Sequence, residues 1–586
     1  MTLDCIICRS AGAALFNGVN GGQSDEELVD AISVLCISLG IQSENVCRGA
    51  LYLNLPIFNY IIRNKPEATP YAFCSLVLQR NADSSNCPHN DPRFEWQLEL
   101  PEPVEIPQFQ NGSSKPLKAV IVTDAHIDPY YEPYGVADCV DPTCCRKGQT
   151  PNVRNNLLLP TVDEHTISRS ILRSNNNVSL DLDLASTIRE LRSKSQAVVD
   201  RTTQSEPAGY WGDYRDCDTP IWAYDDVIEN IAKHQDIDVV YYVGDSIDHH
   251  VWETTYDMIN EVNAYIIDKM RKSFGDDVLI VLNIGNHESQ PTNQFAPSSV
   301  KEENLSTAWL YKSLADKWSP YLTEEAKATL LESGQYSRLV RPGLRVISIN
   351  NNVAYKYNWW VVYDPLNAKV HLDWLVQELH KAELAGEKVH ILTHIPAGVA
   401  DLTHTWTREY NRIVTRFAST IAAEFNGHTH SDEFRIFYSV DDGKPVSMAW
   451  SGGSATAYSH YNLNYKIATF NPTTYEPTNI VNYAYNLTEA NLTPNRRPHW
   501  FQLYDIRNSF NLPDLSPATM DRLVHRMVTD EKVLLDIHAA FSSKISDTRW
   551  PNCDTECKLE NLCSTVVTVL WDRRKCNELR ALFFGS

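Results

Sequence analysis

Five short blocks of this 586-residue chain combine carboxylate, amide and imidazole side chains. In chain order they are Asp124-Ala125-His126, Gly244-Asp245, Gly285-Asn286-His287-Glu288, Thr393-His394 and Gly427-His428-Thr429-His430. Oxygen and imidazole ligands without thiolate suit Zn, Mn or Fe. A lone Asp-x-His or Thr-His is often structural, but the two Gly-containing histidine blocks are specific patterns. Together the five blocks predict a metal centre.

Apolar, β-branched runs lead into these blocks. The run Leu117–Thr123 ends at Asp124, Ile237–Val243 ends at Gly244, and Val278–Ile284 ends at Gly285. Such runs are typical of buried strands, and the stretch Tyr256–Lys272 between two of them has helical character. Strands that alternate with helices predict an α/β fold whose polar residues collect at the strand ends.

The order and content of the five blocks resemble the calcineurin-like metallophosphoesterase family. The resemblance implies a layered α/β/β/α sandwich, and a pair of metal ions that share the carboxylate of Asp245 as a bridge. It implies the following ligands: Asp124, His126, Asp245 and His430 for one ion, and Asp245, Asn286, His394 and His428 for the other. It also implies that His287, which is beside a ligand, donates a proton to the departing alkoxide.

The residues around the blocks resemble the acid sphingomyelinase family more narrowly. The similar stretches are Gly244–Trp252, Asn286–Pro291, His394-Ile395-Pro396 and Gly427–Phe434. This resemblance implies a phosphodiesterase that hydrolyses sphingomyelin to ceramide and phosphocholine through water activated by two Zn²⁺ ions. It places His249 near the leaving group and Tyr458 in contact with the substrate. A surface histidine beside His250 is the alternative interpretation of His249.

Two other functions stay open. The same chemistry fits nucleotides or other phospholipids, which acid-sphingomyelinase-like phosphodiesterases hydrolyse. The non-enzymatic alternative is a saposin-type lipid-binding protein with an inactive phosphoesterase domain. Complete ligand blocks disfavour that non-enzymatic function.

Fourteen cysteines fall into early, middle and late clusters, with none between Cys217 and Cys553. This clustering predicts local disulfide frameworks in an oxidising compartment, so we expect a secreted or lysosomal protein. The segment Met1–Cys5 lacks the basic start and apolar run of a signal peptide, and we expect the leader to have been removed or omitted. Five glycosylation acceptors favour the same compartment: Asn111, Asn177, Asn304, Asn486 and Asn491.

Residues 1–88 are predicted to form an all-α domain, because Ser24 and first-turn acids precede apolar residues at helical spacing. The order of six cysteines resembles the saposin family, whose members bind or loosen lipid. The resemblance implies the pairs Cys5–Cys87, Cys8–Cys74 and Cys36–Cys47, and contact with membrane lipid (sphingomyelin). A zinc knuckle at Cys5-x-x-Cys8 and a stapled helical domain without lipid function are the alternatives.

Three further regions follow. Residues 89–116 are predicted to form a Pro-rich linker, and residues 117–496 the catalytic domain. The catalytic domain has an insertion at 146–216, which contains one possible helix, Leu182–Val199. We expect this insertion to be either mobile or a substrate-specific lid. Residues 497–586 are predicted to be a helical, disulfide-stapled C-terminal domain. The remaining predicted pairs are Cys139–Cys144, Cys145–Cys217, Cys553–Cys557 and Cys563–Cys576.

The net charge argues against nucleic acid as a partner. The chain has 52 Lys and Arg against 74 Asp and Glu, a formal charge of −22, whereas binding a phosphate backbone requires clustered cations. No segment supplies about 18 uninterrupted apolar residues, which a membrane-spanning helix needs. We expect a monomer.

Overall fold

The computed structural model describes residues 2–38, 40–79, 87–89, 91–105, 115–152 and 207–585. The predicted helix Leu182–Val199, most of the insertion, and the acceptors Asn111 and Asn177 lie outside these residues. Among the described residues, no helix combines the length and apolar composition needed to cross a membrane.

Fourteen strands are present in the described part of the chain. They are β1 Leu117–Val122, β2 Ile127–Asp128, β3 Thr219–Pro220, β4 Val239–Tyr242, β5 Leu279–Leu282, β6 Tyr336–Arg341, β7 Leu344–Ile349, β8 Lys388–Thr393, β9 Ile421–Asn426, β10 Glu433–Tyr438, β11 Pro445–Ser451, β12 Asn464–Phe470, β13 Pro477–Tyr485 and β14 Trp500–Asp505. Twelve of them build two six-stranded sheets. The orders are β14-β13-β12-β1-β4-β5 and β10-β11-β9-β8-β7-β6, while β2 and β3 pair separately.

Helices surround the sheets and form both ends of the described chain. They are α1 Leu3–Asn20, α2 Asp25–Ser38, α3 Glu44–Asn64, α4 Pro70–Val77, α5 Ile221–Ile231, α6 Tyr256–Phe274, α7 Ala308–Lys317, α8 Glu324–Ser333, α9 Trp360–Tyr363, α10 Asn367–Leu384, α11 His404–Arg416, α12 Leu487–Leu492, α13 Ile506–Ser509, α14 Pro517–Arg526, α15 Val533–Ser542, α16 Thr555–Ser564 and α17 Arg574–Gly585.

The two sheets pack face to face with helices on their outer sides. Helix α5 packs on the first sheet, and α10, α11 and α14 pack on the second. Strands β1, β4 and β5 run parallel and are buried, which explains their continuous apolar composition. The structure therefore confirms the predicted α/β class and its layered α/β/β/α order.

Buried hydrogen bonds join the sheets beside the strand ends. Asn283, which follows β5, donates from Nδ2 to Ser348 Oγ (2.8 Å) and to the carbonyl of Ile349 (3.0 Å) on β7. Tyr241 Oη on β4 lies 2.9 Å from His390 Nδ1 on β8. These contacts hold the carboxyl ends of strands from different sheets next to each other.

The N-terminal region contains helices α1–α4 and three disulfides. The structure joins Cys5 to Cys87, Cys8 to Cys74 and Cys36 to Cys47, so the Cys5-x-x-Cys8 pair does not form a zinc knuckle. Helix α3 contacts the catalytic region through Asn54, whose Oδ1 accepts a hydrogen bond from Trp359 Nε1 (2.8 Å).

The other predicted cysteine pairs also form: Cys139–Cys144, Cys145–Cys217, Cys553–Cys557 and Cys563–Cys576. The described part of the Pro-rich linker contains a 3₁₀ turn, Pro92–Phe94, and otherwise has no helix or strand before β1. It lies along α11. Arg412 and Arg416 of that helix donate to the carbonyls of Leu98 (3.3 Å) and Pro101 (2.6 Å). The linker is thus held to the catalytic region by its backbone.

The expectation that the chain is helical from residue 497 onward is wrong at its start. Residues Trp500–Asp505 form β14, which pairs with β13 at the edge of the first sheet. Aromatic residues favour strands, and the added strand satisfies the backbone groups that β13 would otherwise expose. The helical part begins only at Ile506, after the strand ends.

A buried carboxyl group predicts how stability depends on pH. Glu424 on β9 accepts hydrogen bonds from Tyr410 Oη (2.8 Å) on α11 and from Asn426 Nδ2 (3.0 Å). Burial raises the pKa of Glu424 to about 7. The unfolded chain releases this proton near the ordinary pKa of 4.5, whereas the folded protein keeps it up to about pH 7. The free energy of unfolding is therefore highest below pH 4.5 and falls as the pH rises from 4.5 to about 7.

We expect Glu424→Gln to remove this dependence. Wild type should lose up to about 1.4 kcal/mol of stability per pH unit across that interval relative to the variant. Thermal unfolding midpoints from pH 4.5 to 8 measure it, with the exposed Glu332→Gln as the matched control. Parallel curves for wild type and Glu424→Gln would contradict the expectation.

Candidate active site

The structure brings the five polar blocks together between the two sheets. Asp124 and His126 follow β1, Asp245 follows β4, and Asn286–Glu288 form a 3₁₀ turn after β5. His394 follows β8 of the other sheet, and His428 and His430 follow β9. All seven predicted metal ligands therefore lie at the carboxyl ends of five strands, where α/β folds place their ligands.

Five of these seven residues have left-handed backbone conformations. Their φ angles are 49° for Asp124, 37° for His126, 59° for Asp245, 71° for His428 and 55° for His430. Non-glycine residues rarely adopt positive φ, at a cost of about 1–3 kcal/mol each, and such residues cluster at functional sites. The concentration of strain at these positions marks the strand ends as a functional site.

Two glycines in the blocks are needed for close packing. A Cβ atom at Gly285 would lie 2.1 Å from Asp245 Oδ1, and one at Gly427 would lie 2.2 Å from Thr123 Oγ1 and 2.9 Å from Asp124 Oδ2. Both approaches are far shorter than a van der Waals contact. The glycine before Asn286 and the glycine before His428 therefore let the carboxylates approach the neighbouring strand end.

Unprotonated imidazole nitrogens face each other on one side of the site. His126 Nδ1 lies 2.7 Å from the carbonyl of Ile247, and His430 Nδ1 is hydrogen-bonded to the carbonyl of Tyr458. A carbonyl only accepts, so each Nδ1 carries the proton, which leaves a lone pair on each Nε2 of a neutral ring. The two Nε2 atoms are 3.0 Å apart. Two lone pairs at that separation repel each other, and a bound cation would relieve that repulsion.

The same arrangement recurs around His428. Its Nε2 lies 3.1 Å from Asp401 Oδ2, which leaves the lone pair on Nδ1. That Nδ1 is 2.9 Å from Asn286 Oδ1, an orientation fixed because Asn286 Nδ2 donates to Asn293 Oδ1 (2.9 Å). Two acceptors again face each other, and Asp401 orients the ring as second-sphere carboxylates do for metal-binding histidines.

Asp245 lies between the two groups of donors. Its Oδ2 is 3.5 Å from His126 Nε2 and 2.9 Å from His394 Nε2, while its Oδ1 accepts from the backbone N–H of His287 (2.9 Å). One carboxylate oxygen thus reaches ligands of both groups. Asp245 would therefore be shared if each group held a cation.

Electrostatics at the site favour positive charge. Burial alone would lower the pKa of His394, but the carboxylate of Asp245 and then that of Asp124 raise it to about 9. Burial opposes ionisation of Asp245, yet the facing His394 holds the pKa of its carboxyl well below the usual range. Asp124 Oδ2 is buried without a hydrogen-bond partner. The donor set therefore fits divalent cations bound by nitrogen and oxygen.

His287 and His249 lie beside these ligands and line a cavity of about 370 Å³ together with Tyr458. His287 Nδ1 is hydrogen-bonded to the carbonyl of Asp248 (3.0 Å), so its Nε2 is available. The ring of His249 stacks on Tyr458, with centroids 3.8 Å apart. Burial lowers the pKa of His249 to about 3 and that of His287 to about 4. His249 is therefore part of the cavity wall and not a surface histidine.

Sequence reasoning missed the residues that hold these side chains. Asp218 accepts from the backbone N–H of His249 (2.7 Å) and contacts its Nδ1 through the other oxygen (2.6 Å). The sequence places Asp218 directly after Cys217, a cysteine of a predicted disulfide, and this position could have identified it. Glu288 accepts from the N–H groups of Gly285 (2.6 Å) and Asp245 (3.1 Å), a role that its place in the third block suggests. Asp401 carries no signal, because it lies in a loop.

A buried arginine supports the same wall. Arg146 contacts Asp128 through Nε (2.9 Å), Asp248 through Nη2 (2.6 Å) and Glu253 through Nη1 (3.0 Å). Asp248 in turn supplies the carbonyl that binds His287. The arginine follows Cys145, and the disulfide to Cys217 places it beside the chain that carries Asp218.

The described glycosylation acceptors differ in whether their side-chain amides are hydrogen-bonded to the protein. Asn304 is exposed and has no hydrogen bond to its side chain within the described residues. Asn486 caps α12 by accepting from Glu489 N (2.8 Å). Asn491 accepts from Trp211 N (2.9 Å) and donates to the carbonyl of Gly212 (3.0 Å). Asn304 is therefore the acceptor whose amide is most available.

Comparison with known proteins agrees with this geometry. Residues 216–432 match the calcineurin-like phosphoesterase family model, and residues 453–577 match the model for the acid sphingomyelin phosphodiesterase C-terminal region. The chain is 31% identical over 579 residues to a sphingomyelin phosphodiesterase of Homo sapiens, covering 96% of this chain and 81% of the relative. The corresponding protein of Bos taurus is 30% identical over 578 residues, with the same shares covered.

A third relative matches only part of this chain. A cyclic GMP-AMP phosphodiesterase of Mus musculus is 30% identical over 408 residues, covering 66% of this chain and 87% of the relative. The phosphoesterase match, together with the convergent histidine and aspartate groups, identifies the site as one for divalent metal ions.

Replacing Asp218 tests how His249 is held. Asp218→Asn removes the carboxylate that fixes the tautomer and orientation of the ring, so we expect kcat/KM on a soluble phosphodiester to fall by about tenfold to a hundredfold, as for other orienting carboxylates. Metal content, measured by mass spectrometry, should stay unchanged, because Asp218 contacts no predicted ligand. The exposed Asp276→Asn is the matched control. Full activity in Asp218→Asn would show that His249 needs no such support.

Proposed function

The chain belongs to the sphingomyelin phosphodiesterase family, and we propose that it hydrolyses sphingomyelin to ceramide and phosphocholine at a centre of two zinc ions. The observation that carries the proposal is the convergence of seven oxygen and nitrogen donors beside His287 and His249, four of which form two pairs of facing acceptors. An inactive phosphoesterase domain would have no reason to keep these donors so close.

The residues divide into two groups of ligands that share Asp245. Asp124, His126 and His430 would complete one site, and Asn286, His394 and His428 the other. Two divalent ions bound there would supply the positive charge that phosphodiester hydrolysis needs and would lower the pKa of water. Zinc fits nitrogen and oxygen donors without thiolate, as do manganese and iron, so its identity is part of the proposal.

The histidines of the cavity wall would handle the leaving group. Nε2 of His287 is free because Nδ1 is bonded to the carbonyl of Asp248. Because Nδ1 of the neutral ring already carries the proton, His287 would donate from this Nε2 in its imidazolium form. That proton would pass to the departing ceramide oxygen, and His249, held by Asp218, would position that oxygen. Tyr458, stacked on His249, would contact the substrate beside the same group.

The N-terminal helices would bring the enzyme to lipid. Ser43, at the start of α3, donates from Oγ to Asp141 (2.8 Å), in the loop whose Pro142 carbonyl accepts from Tyr458 Oη (3.3 Å). Exposed apolar residues lie on both sides of this contact: Ile41 (58% exposed) and Val140 (45%). We call Ile41 and Val140 the apolar rim. It joins a lipid-facing surface to the cavity wall.

The wider setting is also part of the proposal. Seven disulfides suit an oxidising compartment, so we propose that the protein is secreted or lysosomal. Glycosylation at Asn304 would agree with that route. Action as a monomer stays a prediction.

Metal removal tests the centre. We expect a chelator to abolish hydrolysis of both sphingomyelin vesicles and soluble bis(p-nitrophenyl) phosphate, and zinc to restore both. The dialysed active protein should contain two zinc ions per chain by mass spectrometry. Undiminished activity in protein that has lost its metal would refute the proposal, and recovery only with manganese or iron would correct the metal.

Substitution of the apolar rim tests lipid contact. Ile41→Ser combined with Val140→Ser removes apolar area without touching the cavity, so we expect vesicle hydrolysis to fall about tenfold while hydrolysis of the soluble diester is unchanged. The matched control replaces Leu492 (78% exposed) and Val533 (62% exposed) by serine. Equal effects on both substrates would exclude a role for the rim in lipid binding.

A further inference from the structure

The catalytic cavity contains a charged side chain that neither the metal centre nor the proton-transfer residues use. Arg549, an exposed residue in the loop between α15 and α16, lines this cavity together with the predicted metal ligands. Within the described residues it is the only arginine or lysine that lines this cavity. The C-terminal region therefore contributes a permanent positive charge to a site built otherwise by the catalytic region.

Arg549 is held by a ring and not by a carboxylate. Its guanidinium carbon lies 4.5 Å from the ring centre of Tyr461, a cation–π contact. Tyr461 is itself buried, and Nζ of the fully buried Lys544 lies 4.9 Å from the same ring centre. No carboxylate among the described residues forms an ion pair with Arg549. Its guanidinium also makes no hydrogen bond to the described residues, so the N–H donors face solvent and can bind a ligand.

The other charged side chains of the cavity already have partners of opposite charge or belong to the metal centre. Asp401 lies between Lys356 Nζ (2.8 Å) and His428 Nε2 (3.1 Å). Asp245 belongs to the metal centre. A guanidinium without a counter-ion in a concave site attracts anions and repels cationic groups. Its planar fork matches the oxygens of phosphate.

The scissile phosphate does not need this charge. Two divalent ions with the two carboxylates Asp124 and Asp245 leave a net charge of +2, which exceeds the single negative charge of a phosphodiester. A choline headgroup offers no partner to Arg549, since both are cationic. An anionic group elsewhere on the headgroup would complete the site.

Resting on the proposed phosphodiesterase activity, we propose that Arg549 binds a second phosphate on the headgroup side of the substrate. The site then also hydrolyses phosphodiesters whose headgroup carries a further phosphate, such as esters of nucleoside bisphosphates. The reaction is unchanged: water supplies hydroxyl to phosphorus, the bond to the leaving oxygen breaks, and that oxygen receives the proton. Arg549 acts on substrate choice and not on the bond that is cleaved.

Three soluble substrates with one leaving group isolate the headgroup. They are p-nitrophenyl phosphocholine, the p-nitrophenyl ester of thymidine 5′-phosphate, and the same thymidine ester with an added 3′-phosphate. The last two differ only in the second phosphate. The full-length protein is compared with Arg549→Gln, Arg549→Lys and the exposed matched control Arg496→Gln.

We expect wild type to hydrolyse the ester with the added phosphate more efficiently than its partner. Arg549→Gln should lower kcat/KM for that ester by about tenfold, leave the plain thymidine ester within about twofold, and raise kcat/KM for the choline ester, because a charged hydrogen bond is lost and a repulsion is removed. Arg549→Lys should retain part of the preference, since it keeps the charge without the fork. Arg496→Gln should behave as wild type.

Other outcomes overturn the inference. An equal loss on all three substrates would place Arg549 on the scissile phosphate, and no change on any would remove it from substrate binding. Failure of wild type to cleave the ester with the added phosphate, while it cleaves the plain ester, would likewise refute the second-phosphate site. Failure to cleave all three would count against the proposed phosphodiesterase itself.

Discussion

The chemistry of this molecule depends on acceptor atoms that are held close together without protons between them. His126 Nε2 and His430 Nε2 are 3.0 Å apart, and His428 Nδ1 is 2.9 Å from Asn286 Oδ1. Their repulsion is opposed by the hydrogen bonds that the other imidazole nitrogens make to fixed carbonyl or carboxylate oxygens. Because those oxygens belong to Ile247, Tyr458 and Asp401, in three separate segments of the chain, tertiary packing sets the separation of the acceptors. Cation binding then relieves a conflict that folding has created.

The wall of the cavity depends on a second buried network of charged residues, which lies beside the disulfide Cys145–Cys217. Cys145 precedes Arg146, and Cys217 precedes Asp218, so one covalent bond brings both charged residues beside the site. Arg146 fixes Asp248, and Asp218 fixes His249. Burial raises the pKa of Asp218 to about 7.

The sequence identified the ligand blocks because glycine, carboxylate and histidine residues there are constrained by backbone geometry as well as by chemistry. Gly285 and Gly427 are needed where a Cβ atom would collide with the site, which makes those motifs specific. Asp401 and Arg549 carry no comparable constraint, since each lies in a loop whose approach to the site depends on tertiary packing. The strand at Trp500 was mistaken for the start of a helical region because its pairing with β13 depends on the edge of a sheet that local pattern does not reveal.

The division between centre and wall also explains how one metal site can serve several substrates. The ligands come from strand ends whose positive φ angles and close contacts leave almost no freedom for substitution. The wall is built by separate segments, with Asp401 in one loop, Tyr458 after β11 and Arg549 in the C-terminal region. A change in any one of these alters the charge or shape that meets the headgroup while the distances among the ligands stay fixed. Substrate preference can therefore change through the C-terminal region, which contributes no metal ligand, without loss of the hydrolytic centre.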